Sequence, residues 1–585
     1  MSINTNFTRV ARTGSLALVL AGCGDDGNST AGATAASATT TVSTSVTTEP
    51  TTGIVPTSST ATATEGGSES EGGTTTTGTT EPVDPTVASS TSSTSTSDSD
   101  SDSGPIKFDH MREDPDMGAP PSSCKVVDDM DAVGDCTDKA PPDSFEPEPQ
   151  WTFTGPPGFD NCIVMPLVVN LTDDNADGAI DLCDIPDVVV VAGPNLNNDT
   201  SPSRLYVLDG ATGAVHFFAP ELVQFGGTPA AGDIDGDGIA EIIAIEPGGA
   251  GRLIAFEHDG TLKWKSNTTW PGSQSSAVAL ADVDQDGDVE IIAGAKLYDH
   301  NGIELWTRGN DAIYGASMAA DLDGQPGLEV LVNGAAFHAD GSTWYDTNAF
   351  GWAFPQVANL DGDPQPEVLI SRDNSIELRQ HDGTLVWQFT PNNQGDLSRP
   401  INIHDLDGDG EPEFGVSGPN FYGAYETDMT QMWSANVIDT SGQAGGTAFD
   451  FIGGGKAQAI YADEHTVWVF DDLGSPLMQT PHLSGTIIEY PVVADIDNDG
   501  SSEILVVSNT ALNGGVLPFT VQAVRDIQDR WVQGRRIWNQ HTYHVTNVRE
   551  DGTIPQFEVP HWEKLNTFRT QAQISVGGGV CIPPM

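Results

Sequence analysis

Between residues 173 and 530 the chain repeats one hydrophobic pattern. Strand-length runs rich in Ile, Val and Leu, such as "EIIAIE", "EIIAGA", "EVLVNG", "EVLISR" and "EILVVS", each follow a loop crowded with acidic residues. Most are followed by a second strand pattern, a turn signal and a strand that often carries tryptophan, as in "RLIAFEHDGTLKWK", "KLYDHNGIELWT", "IELRQHDGTLVWQF" and "HTVWVFDDLGSPL". The predicted order per repeat is strand, acidic loop, strand, strand, turn, strand. One such unit cannot bury both faces of its small sheet, so the units must stack.

The acidic loop is clearest in "GDIDGDGIAEIIAIE" from Gly232. Carboxylates at loop positions 1, 3 and 5 converge on a hard cation when a glycine at position 6 turns the backbone sharply. An EF-hand needs its acid at position 12, which is Ala244, and a helix afterwards; here the acid is Glu241 at position 9 and a β-branched run follows. A single copy also reads as a solvated acidic turn, but this loop recurs. Aligned loops begin at Asp173, Asp233, Asp282, Asp321, Asn359, Asp405, Asp450 and Asp495, spanning 322 residues in seven steps, a mean of 46. That period is the size of a four-stranded propeller blade.

Five loops keep all four side-chain oxygen positions and the glycine: Asp173, Asn175, Asp177 and Asp181; Asp233, Asp235, Asp237 and Glu241; Asp282, Asp284, Asp286 and Glu290; Asp405, Asp407, Asp409 and Glu413; Asp495, Asp497, Asp499 and Glu503. Two are expected to bind more weakly. Asn359, Asp361, Asp363 and Glu367 keep four ligands but have Pro364 in place of the turn glycine, and Asp321, Asp323 and Glu329 have Gln325 at position 5 with the glycine shifted by one. The loop at Asp450 has Ile452, Gly454 and Gln458 at positions 3, 5 and 9 and is expected to be empty.

The D-x-D-x-D-G-x-x-[DE] loop between short strands, repeated at this period over roughly residues 150–530, resembles the FG-GAP/VCBS repeat family, which includes the integrin α-subunit propeller. The Phe-Gly and Gly-Ala-Pro signatures of the integrin version are missing, so the resemblance is to the looser bacterial type. It implies an all-β propeller with calcium as a structural ion in the loops, and partners met on loops elsewhere. Eight four-stranded blades are the first choice and seven the alternative. "PQWTFTG" at 149–155 looks like an outer strand that precedes the first acidic loop, while the last repeat is short of one unless "DRWVQ" supplies it. The N-terminal strand is therefore expected to complete the last blade and hide its edge.

The predicted organisation is a lipoprotein signal peptide (1–22), a Ser/Thr-rich linker (23–104), a cysteine-containing segment (105–149), the propeller (150–531) and a C-terminal cap (532–585). Arg9 and Arg12, the apolar "SLALVLAG" and the lipobox-like "LAGC" ending at Cys23 imply export and lipidation of Cys23 at an outer membrane or cell surface; an ordinary secretory signal is the alternative. No stretch is long enough to span a bilayer. Residues 24–104 hold almost nothing apolar, so they are expected to be a disordered tether reaching roughly 50 Å on average. Export favours disulfides, and the spacing fits Cys124–Cys136 and Cys162–Cys183, with Cys581 left over.

Charge narrows the partners. With 23 basic against 84 acidic residues the net charge is −61, which disfavours nucleic acid and anionic membrane surfaces. The cap concentrates Arg535, Arg536, His541, His544, Trp538 and Trp562. The arginines are expected to pair with aspartates of loops that hold no calcium. His541-x-x-His544 has metal-ligand spacing but lacks the glutamate of an H-E-x-x-H helix.

The favoured reading is a calcium-stabilised surface module that binds an extracellular carbohydrate or protein partner. The expected binding surface is the face opposite the acidic loops, near 268–275 and 392–398. The alternative is a polysaccharide-cleaving propeller, a class that the resemblance also admits. A quinone-cofactor propeller is less well supported, because "LDGATGAVHFF" at 208–218 resembles that blade motif only once and without its tryptophan.

Overall fold

A computed structural model describes residues 134–584, apart from 195–198, 271–275, 309–314, 349–350, 373–374, 392–398, 511–517 and 576–578. The signal, Cys23, the Ser/Thr-rich linker and Cys124 lie outside the described residues, as do residues 271–275 and 392–398.

The strands form eight antiparallel blades, so the first-choice count holds. The pattern is plain in blade 2, whose strands run Ala230–Gly232, Glu241–Ile245, Gly251–Phe256 and Leu262–Trp270. The first two are buried throughout, whereas the outer strand mixes exposed and buried positions. Inner strands have blades on both sides and read as continuous apolar runs; the outer strand meets water on one edge. The other blades repeat this order. Their inner strands are Leu167–Val169 in blade 1, Ser276–Ala281 in blade 3, Met318–Ala320 in blade 4, Ala353–Ala358 in blade 5, Asn402–His404 in blade 6, Gly446–Phe449 in blade 7 and Val492–Ala494 in blade 8.

Ring closure follows the expected route. Pro147–Phe153 pairs antiparallel with Val521–Asp526 and becomes the outer strand of blade 8, so no edge is left there. "DRWVQ" does not supply it.

The recurrent aromatic residue of the outer strand has a definite job. It packs on the turn glycine between the third and fourth strands of the next blade. A Cβ on Gly213, Gly302, Gly341 or Gly474 would meet Trp151, Trp264, Trp306 or Trp433 within 3.0 Å, and Gly260 and Gly383 meet Phe217 and Tyr345 in the same way. Two of these tryptophans also donate Nε1–H to a backbone carbonyl of that blade, Trp151 to Gly210 (2.6 Å) and Trp306 to Ala339 (2.8 Å). Gly302 has φ +75° and leaves 2.7 Å between an added Cβ and the Trp264 ring. Gly302→Ala therefore combines left-handed strain with overpacking and is expected to cost about 2–4 kcal/mol. A denaturant midpoint within error of the parent protein would refute this packing account.

The cysteines depart from expectation. Cys136 is bonded to Cys581, not Cys124, and the two chain segments also pair through backbone hydrogen bonds from Cys136 N to Ile582 O (2.8 Å) and from Ile582 N to Gly134 O (2.9 Å). Cys162 is free and buried, and burial pushes its thiol up to about 12. The Cys162–Cys183 pairing is thus overturned, although Cys183 is itself disulfide-bonded. Sequence spacing favoured near neighbours, but ring closure brings together segments 445 residues apart.

Candidate metal loops and the tail that covers them

Each acidic loop joins the first strand of its blade to the second, which places all eight on one face of the ring. A common hydrogen-bond scheme builds them. The acid that opens the second strand accepts the backbone N–H of loop position 2 through Oε2: Ile234 N to Glu241 (3.0 Å), Val283 N to Glu290 (2.8 Å), Leu322 N to Glu329 (2.8 Å), Leu360 N to Glu367 (2.7 Å), Leu406 N to Glu413 (2.7 Å) and Ile496 N to Glu503 (3.0 Å). The carboxylate at position 1 accepts the N–H of the position 6 glycine, as Asp233 does from Gly238 (2.9 Å) and Asp405 from Gly410 (2.9 Å). Where position 6 is Pro326 or Pro364 that donor does not exist.

Position 4 is a signal the sequence reading passed over. It is left-handed in every loop, at Ala176, Gly236, Gln285, Gly324, Gly362, Gly408, Gly453 and Asn498. Glycine in most copies reflects this demand.

These bonds hold one oxygen of the acid that opens the second strand, while both oxygens of position 1 accept loop N–H groups in the loops at Asp233, Asp282 and Asp405. Glu367 Oε1, Glu413 Oε1, Glu503 Oε1 and Asp495 Oδ1 are buried and make no hydrogen bond. Oxygens of Asp233, Asp235 and Glu241, and of Asp282, Asp284 and Glu290, lie within 4.8 Å of one another. Burial pushes Glu290 and Glu413 up to about 8 and Glu241 and Glu367 to about 7, with neighbouring aspartates adding to the rise. Burial and Asp499 raise Asp495 to about 7. A divalent cation among such oxygens would offset the cost of holding them charged, so the donor set fits calcium.

Three loops differ from the sequence alignment. In blade 1 the second strand opens at Asp187, and Asp187 Oδ2 accepts Leu171 N (2.8 Å). The ninth-position role therefore belongs to Asp187 rather than Asp181, because this loop is longer than the others. Asp173, Asn175 and Asp177 still form a tight turn, with Gly178 N on Asp173 Oδ2 (2.9 Å), and Asp184 accepts three backbone N–H groups of that loop. At blade 2, Lys263 from the outer strand reaches Asp235 (2.6 Å) and Glu241 (3.1 Å), a competitor for the cation. At blade 4, His338 Nδ1 lies 2.8 Å from Glu329 Oε1.

The degenerate loop is closed by its own chemistry. Gln458 Oε1 accepts Phe451 N (2.9 Å), as the acids do elsewhere, while its Nε2 donates to Lys456 O (2.7 Å). The amide group thus occupies with a donor the position where other loops present a free oxygen.

The tail from Trp531 onward covers this face. It hydrogen-bonds inner strands of seven blades: Val168 with Trp538, Ala231 with Asn539, Leu280 with Gln540, Val357 with His561, Ile403 with Phe568, Thr447 with Arg569 and Val493 with Gln571. Ile537, Trp538, Tyr543, Val548 and Ile554 join the hydrophobic core of the neighbouring blades. A cap is therefore present, but its arginines do not pair with aspartates of empty loops. Arg535 Nε meets Glu550 Oε2 (3.0 Å) and Arg536 Nε meets Glu550 Oε1 (3.1 Å), all buried. His541 and His544 do not act as a pair either: His541 stacks on Phe354 (5.6 Å), whereas His544 meets Glu558 (2.7 Å).

Residues 233–293 match the family model described as FG-GAP-like repeat. Among solved structures, the biofilm matrix protein Bap1 of V. cholerae is similar over 75% of this chain and 100% of its own, at 20% identity and a TM-score of 0.67, which shows a shared fold. The rhamnogalacturonan lyase PL11 of Bacillus licheniformis is matched over 75% of this chain and 83% of its own, at 15% identity and a TM-score of 0.47. No curated protein matches the sequence. Residues 233–293 match the FG-GAP-like repeat, and the acidic loop of that segment recurs at the blade period around the eight-bladed ring.

Proposed function

We propose that the protein is an exported recognition module: a propeller stiffened by calcium in its acidic loops, anchored through a lipid on Cys23, that binds an extracellular carbohydrate or protein partner. The observation that carries this reading is the tail. On the acidic-loop face the inner strands of seven blades are covered by the chain's own residues 531–574, so the opposite face and the rims of the blades are the surfaces offered to a polymer or a protein. That Bap1, a biofilm matrix protein, has a similar fold along its whole length is in keeping with an extracellular setting.

The test is a glycan array and an extracellular-protein capture with the purified, calcium-loaded chain, run beside a polysaccharide-cleavage assay. Capture without product release is the expected result. Depolymerisation of a polysaccharide at catalytic protein concentrations would replace this reading with the lyase one.

A further inference from the structure

The tail holds a cluster of a different chemical kind from the acidic loops. His544, Glu558 and His561 each place one ligand atom within 4.8 Å of the other two. His544 Nδ1 lies 2.9 Å from Thr542 O, and His561 Nε2 lies 2.8 Å from Val357 O in the inner strand of blade 5. A carbonyl oxygen only accepts, so those two nitrogens carry the ring hydrogens. In the neutral rings the lone pairs are then on His544 Nε2 and His561 Nδ1.

His544 Nε2 faces Glu558 Oε1 at 2.7 Å, where either an imidazolium proton or a metal ion bridges the two. His561 is fully buried, and its Nδ1 makes no hydrogen bond. The two rings lie 4.5 Å apart between centroids. Imidazoles whose far nitrogen is pinned by a backbone carbonyl are the arrangement found around protein-bound metals, where the outer partner sets tautomer and ring orientation. Thr546 Oγ1 donates to the same Glu558 oxygen (2.9 Å), which orients the carboxylate.

We propose that His544 Nε2, His561 Nδ1 and Glu558 bind one zinc-class divalent cation. Two imidazole nitrogens and one carboxylate suit zinc, whereas calcium takes oxygen. The ion joins two separate turns of the tail, and through the His561 contact to Val357 it fastens the cap to blade 5. It is a structural pin, distinct from the loop sites, and His541 takes no part.

The experiment uses the full chain, stripped of transition metals and kept in excess calcium, and titrates it with cobalt(II) and then zinc. One equivalent of cobalt is expected to give the visible ligand-field absorption of a nitrogen-containing site of low coordination number, displaced by one equivalent of zinc. Glu558→Gln should weaken zinc binding at least a hundredfold, more than the roughly 10–100-fold that losing an outer partner costs. Its calcium content and circular dichroism should stay unchanged. Asp284→Ala should do the reverse, losing one calcium and keeping the zinc. Glu558→Gln serves if His561→Ala fails to fold. Zinc below one equivalent in the parent protein, or zinc content unchanged in Glu558→Gln, overturns the proposal and leaves a proton shared by His544 and Glu558.

Discussion

Chelating calcium is expected to lower the melting temperature markedly. Extracellular calcium sites have dissociation constants of roughly 0.1–1 mM, so millimolar calcium stabilises each by about 0.4–1.4 kcal/mol. The five loops beginning at Asp173, Asp233, Asp282, Asp405 and Asp495 would together contribute on the order of 2–7 kcal/mol, comparable to the net stability of a domain. The loop at Asp233 should contribute least, because Lys263 competes for Asp235 and Glu241. Asp284→Ala should remove one bound calcium, and Asp450→Ala none, since Gln458 closes that loop.

The effect carries a pH signature. Glu290 and Glu413 are raised to about 8 and Glu241 and Glu367 to about 7, against an unfolded value near 4.3. An acid raised by folding favours the fold while protonated, so the calcium-free protein loses stability as pH rises from about 4 towards 8. Calcium binds the charged form and cancels that loss. The gap between calcium-loaded and chelated melting temperatures should therefore be wider at pH 8 than at pH 6. Identical melting curves with and without chelator, or no bound calcium by elemental analysis, would remove calcium from the account.

Glu550→Ala is expected to destabilise the protein by about 3–5 kcal/mol, the cost of breaking a buried ion pair from one side. Glu550 is buried and serves both Arg535 and Arg536, so its loss leaves two guanidinium groups inside the cap without their carboxylate. Burial alone would raise its pKa, but the two arginines and the Arg536 backbone N–H hold it below the usual glutamate range. A depressed acid stabilises the fold above its unfolded pKa, near 4.3, and that contribution is lost as pH falls through the lower folded value. Denaturant unfolding checks both statements. A loss under about 1 kcal/mol at pH 7 would mean that the arginines find other partners and that the triad does not hold the cap.

The blade count, the strand order, the position of each acidic loop and the N-terminal strand that closes blade 8 were all legible in the linear chain, for a physical reason. Strand alternation, turn glycines and carboxylate spacing act within about ten residues, and repetition at the blade period multiplies a weak local signal. The degenerate loop at Asp450 was legible for the same reason.

Other features depend on residues that meet only once the ring has closed. Asp187 replaces Asp181 because the extra length of the first loop moves the start of its strand, which pairing decides and spacing does not. Lys263 enters its loop from the outer strand of its blade, and His338 from the turn after the third strand of its own. Trp264 and its counterparts were visible as a repeated residue, yet their role belongs to the glycine of the next blade. Cys136 finds Cys581 because closing the ring sets the segments that flank the propeller side by side. The Arg535–Arg536–Glu550 and His544–Glu558–His561 groups lie in a tail without period, where no repeated spacing can reveal which side chains the fold will bury together.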